Sequence, residues 1–263
     1  MSTIMITGAT DGIGLATAQR LASLDHRLVL HGRSPGRLAD ARAAVEAQRA
    51  GSVLATALAD LSDLSEVDAL AAAAADLSID VLVNNAGVYH TEHPVTVDGL
   101  DVRFVVNTIA PYRLTRLLLA HLPASGRVVN LSSAAQAPVD LQALAGGRRL
   151  DHGTAYAQSK LALTMWTRHL ADQVGPDGPV AVAVNPGSLL ASKMVRDGFG
   201  IAGNDINIGV EVLVRASTSG EFADAGGKYY DNDAGRFADP HPDALDPEKR
   251  AALVAGIDRV LGR

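Results

Sequence analysis

Cysteine is absent from the 263 residues. That excludes disulfides, thiol catalysis and thiolate metal sites. Aromatic side chains make up only 4% of the chain, so the 48% that is hydrophobic builds a mainly aliphatic core. No basic block occurs and the formal net charge is −6, so nucleic acid or an anionic membrane is not an expected partner. No apolar run approaches the ~20 residues of a membrane span. The longest alanine run, Ala71–Ala75, sits between Asp68 and Asp76. Met1 and Ser2 lead into TIMIT, without a charged region ahead of a long apolar stretch, so no signal peptide is expected. These features suit a cytoplasmic protein. The eight histidines are scattered without ligand spacing, and Glu92 and His93 beside Pro94 form no cluster; no metal site is expected.

What is present is an alternation. Short β-branched runs at 3–7, 27–31, 52–58, 79–84, 126–132 and 180–185 read as strands. Most are nearly continuous apolar runs, as in strands covered on both faces. Helical patterns lie near 13–24, 36–50, 63–76, 98–122, 154–174, 207–218 and 247–262, and GGKYY (226–230) reads as a last strand. The alternation predicts a single α/β domain over 1–263, a Rossmann-like doubly wound parallel sheet with helices on both faces. The proline-bearing stretch 238–247 reads as loop. Two longer irregular regions, 133–153 and 186–206, follow strands. Ligands bind beyond the carboxyl ends of such strands, and long loops in compact domains are usually functional.

TGATDGIG (7–14) joins the first strand to the first helix. Gly8, Gly12 and Gly14, with Asp11 and Ile13 among them, allow a tight turn and close approach of backbone to a phosphate at a helix N-terminus. The competing reading is an ordinary glycine-rich turn. Where the second strand ends, a protein selecting NAD places an acid on the ribose 2′-hydroxyl. Here His31, Gly32, Arg33 and Ser34 occupy that region. An arginine fork binds a 2′-phosphate that an acid would repel. The expectation is NADP(H) in preference to NAD(H), through Arg33 with help from Ser34, against a solvated surface arginine. After the third strand, Asp60 and Leu61 are placed to reach an adenine edge, although Asp60 could equally serve a helix N-terminus. After the fourth, NNAG (84–87) offers Asn85 and the small Ala86 and Gly87 beside a ribose, with turn formation as the rival role for Asn84 and Asn85.

TAYAQSK (154–160) sets Tyr156 and Lys160 one helical turn apart on one face. A phenol titrates near 10, and bringing it to about 7 takes roughly 4 kcal/mol. One positive charge about 4 Å away supplies on the order of 4 kcal/mol at an effective dielectric near 20. Lys160 is placed to be that charge, with Tyr156 as base in oxidation and acid in reduction.

TGATDGIG, NNAG, YAQSK and NPG, in this order, resemble the short-chain dehydrogenase/reductase family over most of residues 3–230. AYAQSKLALTMWTRHLA and the long gap before Tyr156 resemble its retinol-dehydrogenase-like branch. The resemblance implies a catalytic tetrad of Asn107, Ser133, Tyr156 and Lys160. Ser133 would donate to the substrate oxygen where charge develops, with Ser132 as competitor. Asn107 would hold a relay water through its carbonyl, which Pro111, lacking an N–H, cannot bond. Pro186 and Gly187 match the segment lining the nicotinamide, and Ser192 stands where the family usually has a threonine for the carboxamide. The resemblance further implies a small-molecule alcohol or carbonyl substrate, and a homodimer or homotetramer built on helices 98–122 and 154–174. Loops 133–153 and 188–206, the latter with Phe199 between glycines, would shape substrate access. A cofactor-sensing protein without catalysis and a sugar-nucleotide epimerase are the alternatives on the same fold.

Overall fold

The computed structural model describes residues 1–262, without the side chains of Lys193, Asp197 and Phe199. Phe199, the expected lid aromatic, therefore lies outside the described side chains. The strands are β1 (Thr3–Ile6), β2 (Arg27–Gly32), β3 (Val53–Leu58), β4 (Val81–Asn84), β5 (Arg127–Leu131), β6 (Val180–Asn185), β7 (Tyr229–Asp231) and β8 (Arg236–Ala238). They form one sheet in the order β3-β2-β1-β4-β5-β6-β7-β8. Every pair is parallel except β7 with β8.

Helices α1 (Gly12–Ser23), α2 (Pro35–Glu46) and α3 (Leu64–Ala74) follow the first three strands. Beyond β4 come α4 (Val102–Phe104) and α5 (Ala110–Leu118), separated by a π turn over Val105–Ile109. Then follow α6 (Leu141–Leu144), α7 (His152–Val174), α8 (Lys193–Phe199), α9 (Asn207–Thr218), α10 (Pro242–Leu245) and α11 (Pro247–Val260).

β1 shows how a continuous apolar run serves two cores. Met5 joins Leu70, Leu114, Leu161 and Ile257 on one face of the sheet. Ile4 and Ile6 join Leu21, Leu38 and Val212 on the other. Side chains alternate across a strand, so both faces of an interior strand are apolar. The strand order reverses between β1 and β4, and that reversal opens a crevice at the carboxyl ends of the strands.

Three expectations are corrected. The helix expected over 98–122 begins only at Val102, because Asp101 caps it, and it is broken by the π turn. The stretch expected to be loop at 238–247 contains the end of β8 and all of α10. The loop at 133–153 carries α6, with Asp140 as its cap, and is stitched to α7 by the Asp140 N–H donating to Gln158 Oε1. α11 packs on α7. Arg250 donates to Asp172 at 2.7 Å, and Leu253 and Ile257 share the core of Met165 and Trp166.

Candidate active site

The glycine turn is held open by its neighbours. Gly8 has φ +66°, a left-handed value that a side chain would strain. A Cβ on Gly14 would come within 2.4 Å of the Gly8 carbonyl oxygen, so only glycine lets α1 start this close to β1. Thr7 Oγ1 accepts the N–H groups of Asn85 and Ala86, and Asn85 Nδ2 donates to the carbonyls of Thr7 and Gly8. Asn85 therefore fastens the turn; its side chain is spent on backbone. Asp11 caps α1 by accepting from Gly12 N–H and binds Arg37 at 2.6 Å.

Sequence reasoning placed His31 in the cofactor region without a role. The imidazole is buried, accepts the Gly8 N–H at Nδ1 and donates from Nε2 to the Ala59 carbonyl. It ties the glycine turn to the end of β3 as a neutral ring. Burial pushes its pKa below the ordinary 6.5, against smaller raising effects of the Ala59 bond and Asp60. Because the folded value is the lower one, the unfolded chain takes up the proton first as pH falls. Stability is then full above about 6.5 and lost below it. The thermal midpoint should drop by several degrees from pH 7 to 5.5, and less steeply in His31→Gln. A midpoint independent of pH in that range would contradict this account.

A cleft of about 1070 Å³ runs along the carboxyl ends of the strands, at the upper end of ligand-site volumes. Gly8, Asp11, Gly12, Ile13 and Gly14 line one end of it, and Tyr156, Lys160 and Pro186 the other. Arg33, Arg37, Asp60, Leu61, Asn85, Ala86 and Gly87 also line it. The exposed Arg33 makes no hydrogen bond or ion pair among the described residues. Ser34 is the N-cap of α2, yet its side chain makes no capping bond. A free cation, an unspent hydroxyl and the amide end of a helix thus stand together, as an anion would need. Arg37, which sequence reasoning passed over, adds a second guanidinium; its signal is a second arginine one turn beyond Arg33. Asp60 does not cap α3, a place taken by Asp63; its Oδ1 accepts from both the N–H and the hydroxyl of Ser62 in the turn ahead of that helix.

At the other end Tyr156 and Lys160 project from α7. The rings of Tyr156 and Tyr89 meet edge-on at 5.1 Å between centroids, and Lys160 Nζ lies 5.7 Å from the phenol ring centre. Lys160 is buried and donates to the Leu131 carbonyl at 2.7 Å. Burial brings its pKa down to about 8. The phenol moves the opposite way from the expectation. Burial raises the Tyr156 pKa, Tyr89 adds to the rise, and only a hydrogen bond with Ser133 works against it. In the protein by itself this rise prevails, while the Lys160 ammonium faces the ring and is engaged by the Leu131 carbonyl.

The two serines differ in their partners, although it is Ser132 and not Ser133 that counts among the residues lining the cleft. Ser132 is buried and its hydroxyl pairs with Thr164 at 2.7 Å, so it belongs to the packing of β5 on α7. Ser133 reaches the phenol. Its carbonyl is held by Tyr229, whose hydroxyl donates at 3.1 Å, and by Gln136. Tyr229, in the segment GGKYY, was legible as a strand residue and not as an anchor of Ser133. Asn107 is buried in the π turn. Its side chain exchanges two hydrogen bonds with the Val88 backbone and donates to Ser159 Oγ. Its Oδ1 and Lys160 Nζ both face Gly87, where an added Cβ would lie 3.4 and 3.6 Å from them. Ser192 caps α8 and sits opposite Gly12 across the cleft, 3.8 Å from where a Cβ would be. Gly187, with φ +118°, packs on Ile208 and Leu190 rather than lining the cleft. Among the described residues no cluster suited to a metal occurs and no helix is long and apolar enough to cross a membrane.

Residues 2–199 match the family described as short chain dehydrogenase. The chain belongs to that family. Its similarity falls in the retinol-dehydrogenase-like branch of these short-chain dehydrogenases. Retinol dehydrogenase 12 of Bos taurus is 36% identical over 202 residues, covering 74% of this chain and 64% of that protein. Retinol dehydrogenase 13 of Homo sapiens is 29% identical over 281 residues, covering 99% and 84%. Among solved structures, an uncharacterized protein from Mycobacterium Paratuberculosis superposes with a TM-score of 0.80 at 28% identity, covering 99% of this chain and 93% of that one. A short chain dehydrogenase from Burkholderia cenocepacia in complex with NADP gives 0.66 at 27%, covering 87% and 94%.

Proposed function

We propose that this short-chain dehydrogenase is an NADP(H)-preferring oxidoreductase that interconverts an alcohol and a carbonyl, with loops 133–153 and 188–206 around the substrate. The observation that carries this reading is one continuous cleft. It joins a glycine-built helix N-terminus to a phenol that is hydrogen-bonded to Ser133 and one turn from a buried ammonium. The cradle suits a dinucleotide: Gly12, Ile13 and Gly14 would face its pyrophosphate, and Arg33, Ser34 and Arg37 a 2′-phosphate. Ala86, Gly87, Lys160 and Pro186 would face the ribose and nicotinamide. NADP(H) bound there supplies or takes up the hydride.

The remaining chemistry belongs to the chain. Tyr156 hands its hydroxyl proton to the substrate oxygen in reduction and takes one back in oxidation. The Ser133 hydroxyl donates to the same oxygen as negative charge grows on it. Lys160, still largely protonated at pH 7 with a pKa of about 8, offers positive charge beside the phenol. Asn107 fixes Val88 against α7 and, with Lys160, supports proton return to solvent. Val88, Tyr89, Val102, Val106 and Met194 line the cleft together with His90, Thr91, Glu92 and His93, so a carbonyl compound with an apolar body is the expected substrate. Retinal belongs in the test panel on the strength of the relatives' names.

The cofactor assignment has a direct check. A charge-assisted hydrogen bond is worth about 1.5–3 kcal/mol, or roughly ten- to a hundredfold at 1.4 kcal/mol per decade. Arg33→Ala should lower kcat/KM for NADPH by that factor and leave NADH nearly unchanged. Equal loss with both cofactors, or a wild-type protein that uses NADH as well as NADPH, would remove Arg33 from the role.

A further inference from the structure

We propose that Arg103 and His152 form a positioning pair that holds the two walls around the reacting phenol, an inference that rests on the oxidoreductase reading above. Arg103 belongs to α4 and is 1% exposed. A guanidinium is kept out of water only when its charge is matched and its N–H groups are used. Asp101 matches it: Oδ1 accepts from the Arg103 Nε and backbone N–H, each at 2.9 Å, and Oδ2 accepts from Nη2. Nη1 remains, and it meets Nδ1 of His152.

That contact fixes the chemistry of His152. Arginine only donates, so Nδ1 must carry the lone pair and Nε2 the proton. An imidazole in that state has no vacant nitrogen for a substrate proton. His152, the loop histidine nearest Tyr156 in sequence, is therefore not a general base. It is the first residue of α7, behind the Asp151 cap and one turn ahead of Tyr156. Its ring lies 4.5 Å from that of His90. The residue before His90 is Tyr89, whose ring stands edge-on to Tyr156.

One short stretch thus grips both sides of the phenol. Asn107 holds Val88. Arg103, four residues earlier, holds the start of α7, and through His152 it braces His90. The ion pair touches neither the glycine turn nor Arg33, so its loss should act on the alignment of Tyr156 and leave dinucleotide binding alone. Misplacement by about 1 Å costs a reaction on the order of a hundredfold.

The test compares His152→Leu, which removes the acceptor, with His152→Asn, which puts an amide oxygen near the Nδ1 position. Position 152 is only partly buried, so both variants should fold. Three quantities are measured on the full chain: kcat with the best carbonyl of a panel, the NADPH dissociation constant from its fluorescence, and amide hydrogen exchange. His152→Leu should lose about tenfold or more in kcat at unchanged NADPH affinity, with faster exchange confined to 88–93 and 152–158. His152→Asn should stay close to wild type in all three. Wild-type kcat and exchange in His152→Leu would overturn the proposal. So would equal impairment of both variants, or an affinity loss that tracks the loss of kcat. If the wild-type protein turns over no carbonyl or alcohol, the oxidoreductase reading fails, and the exchange data still decide whether the pair braces the two segments.

Discussion

Tyr156→Phe should lower kcat by about 10²- to 10⁴-fold, the range typical of a lost general acid, with NADPH affinity unchanged. The ring is what the fold uses: it packs edge-on with Tyr89, and a phenylalanine keeps that contact. The hydroxyl is what the proposed chemistry uses, and it is hydrogen-bonded to Ser133. Its loss removes one hydrogen bond and relieves one buried polar group, so the thermal midpoint should move by no more than a few degrees. Steady-state reduction rates, NADPH fluorescence titration and thermal melts separate the three effects. Substantial turnover in the variant would take Tyr156 out of the mechanism.

Lys160→Met should abolish turnover without lowering stability. In the folded protein burial depresses the ammonium from its ordinary 10.5 to about 8. For a base with a lowered folded pKa, the unfolded chain binds more protons between the two values, so stability rises with pH across that window. Below about 8 the whole cost of burying the charge is present. Two and a half units at 1.36 kcal/mol each amount to roughly 3 kcal/mol. Methionine fills the space without charge but leaves the Leu131 carbonyl without its donor, which gives back about 1–3 kcal/mol. The net expectation is a midpoint at pH 7 equal to or a few degrees above wild type. The wild-type rise in stability from pH 8 to 10.5 should be flattened in the variant. Reduction by the wild-type protein should weaken as pH climbs through about 8, as the cation beside the phenol is lost. A variant that melts well below wild type would show that Lys160 is held for structure instead.

The parts of the sequence that could be read were those governed by local rules. Alternating strands and helices, the glycine turn and the one-turn spacing of Tyr156 and Lys160 are properties of adjacent residues, and the sheet, the turn and α7 follow them. The break at Val105–Ile109 was only half visible. Pro111 announced an irregular helix, but a π turn depends on how Asn107 is pulled toward Val88 and Ser159, which are far away in sequence. Ser132 and Ser133 look alike in the chain; only the packing of β5 on α7 turns one toward Thr164 and the other toward Tyr156. The direction of the phenol's pKa was misjudged for a similar reason. Helical spacing gives the nearness of a cation, while burial under Tyr89 and the engagement of Lys160 by Leu131 are tertiary facts. Arg103 and Asp101 stand two residues apart in the chain, and nothing local says that they are buried or that the remaining Arg103 N–H meets His152.

Hydride transfer itself is the most direct measurement. NADPH carrying deuterium at C4 is incubated with the protein and a panel of apolar aldehydes and ketones that includes retinal, and the alcohols are analysed by mass spectrometry. The account predicts an alcohol with one deuterium on its carbinol carbon, formed by the wild-type protein and reduced by orders of magnitude in Tyr156→Phe. Tight NADPH binding with no deuterated alcohol from any member of the panel, or equal deuterium transfer by both proteins, would contradict it.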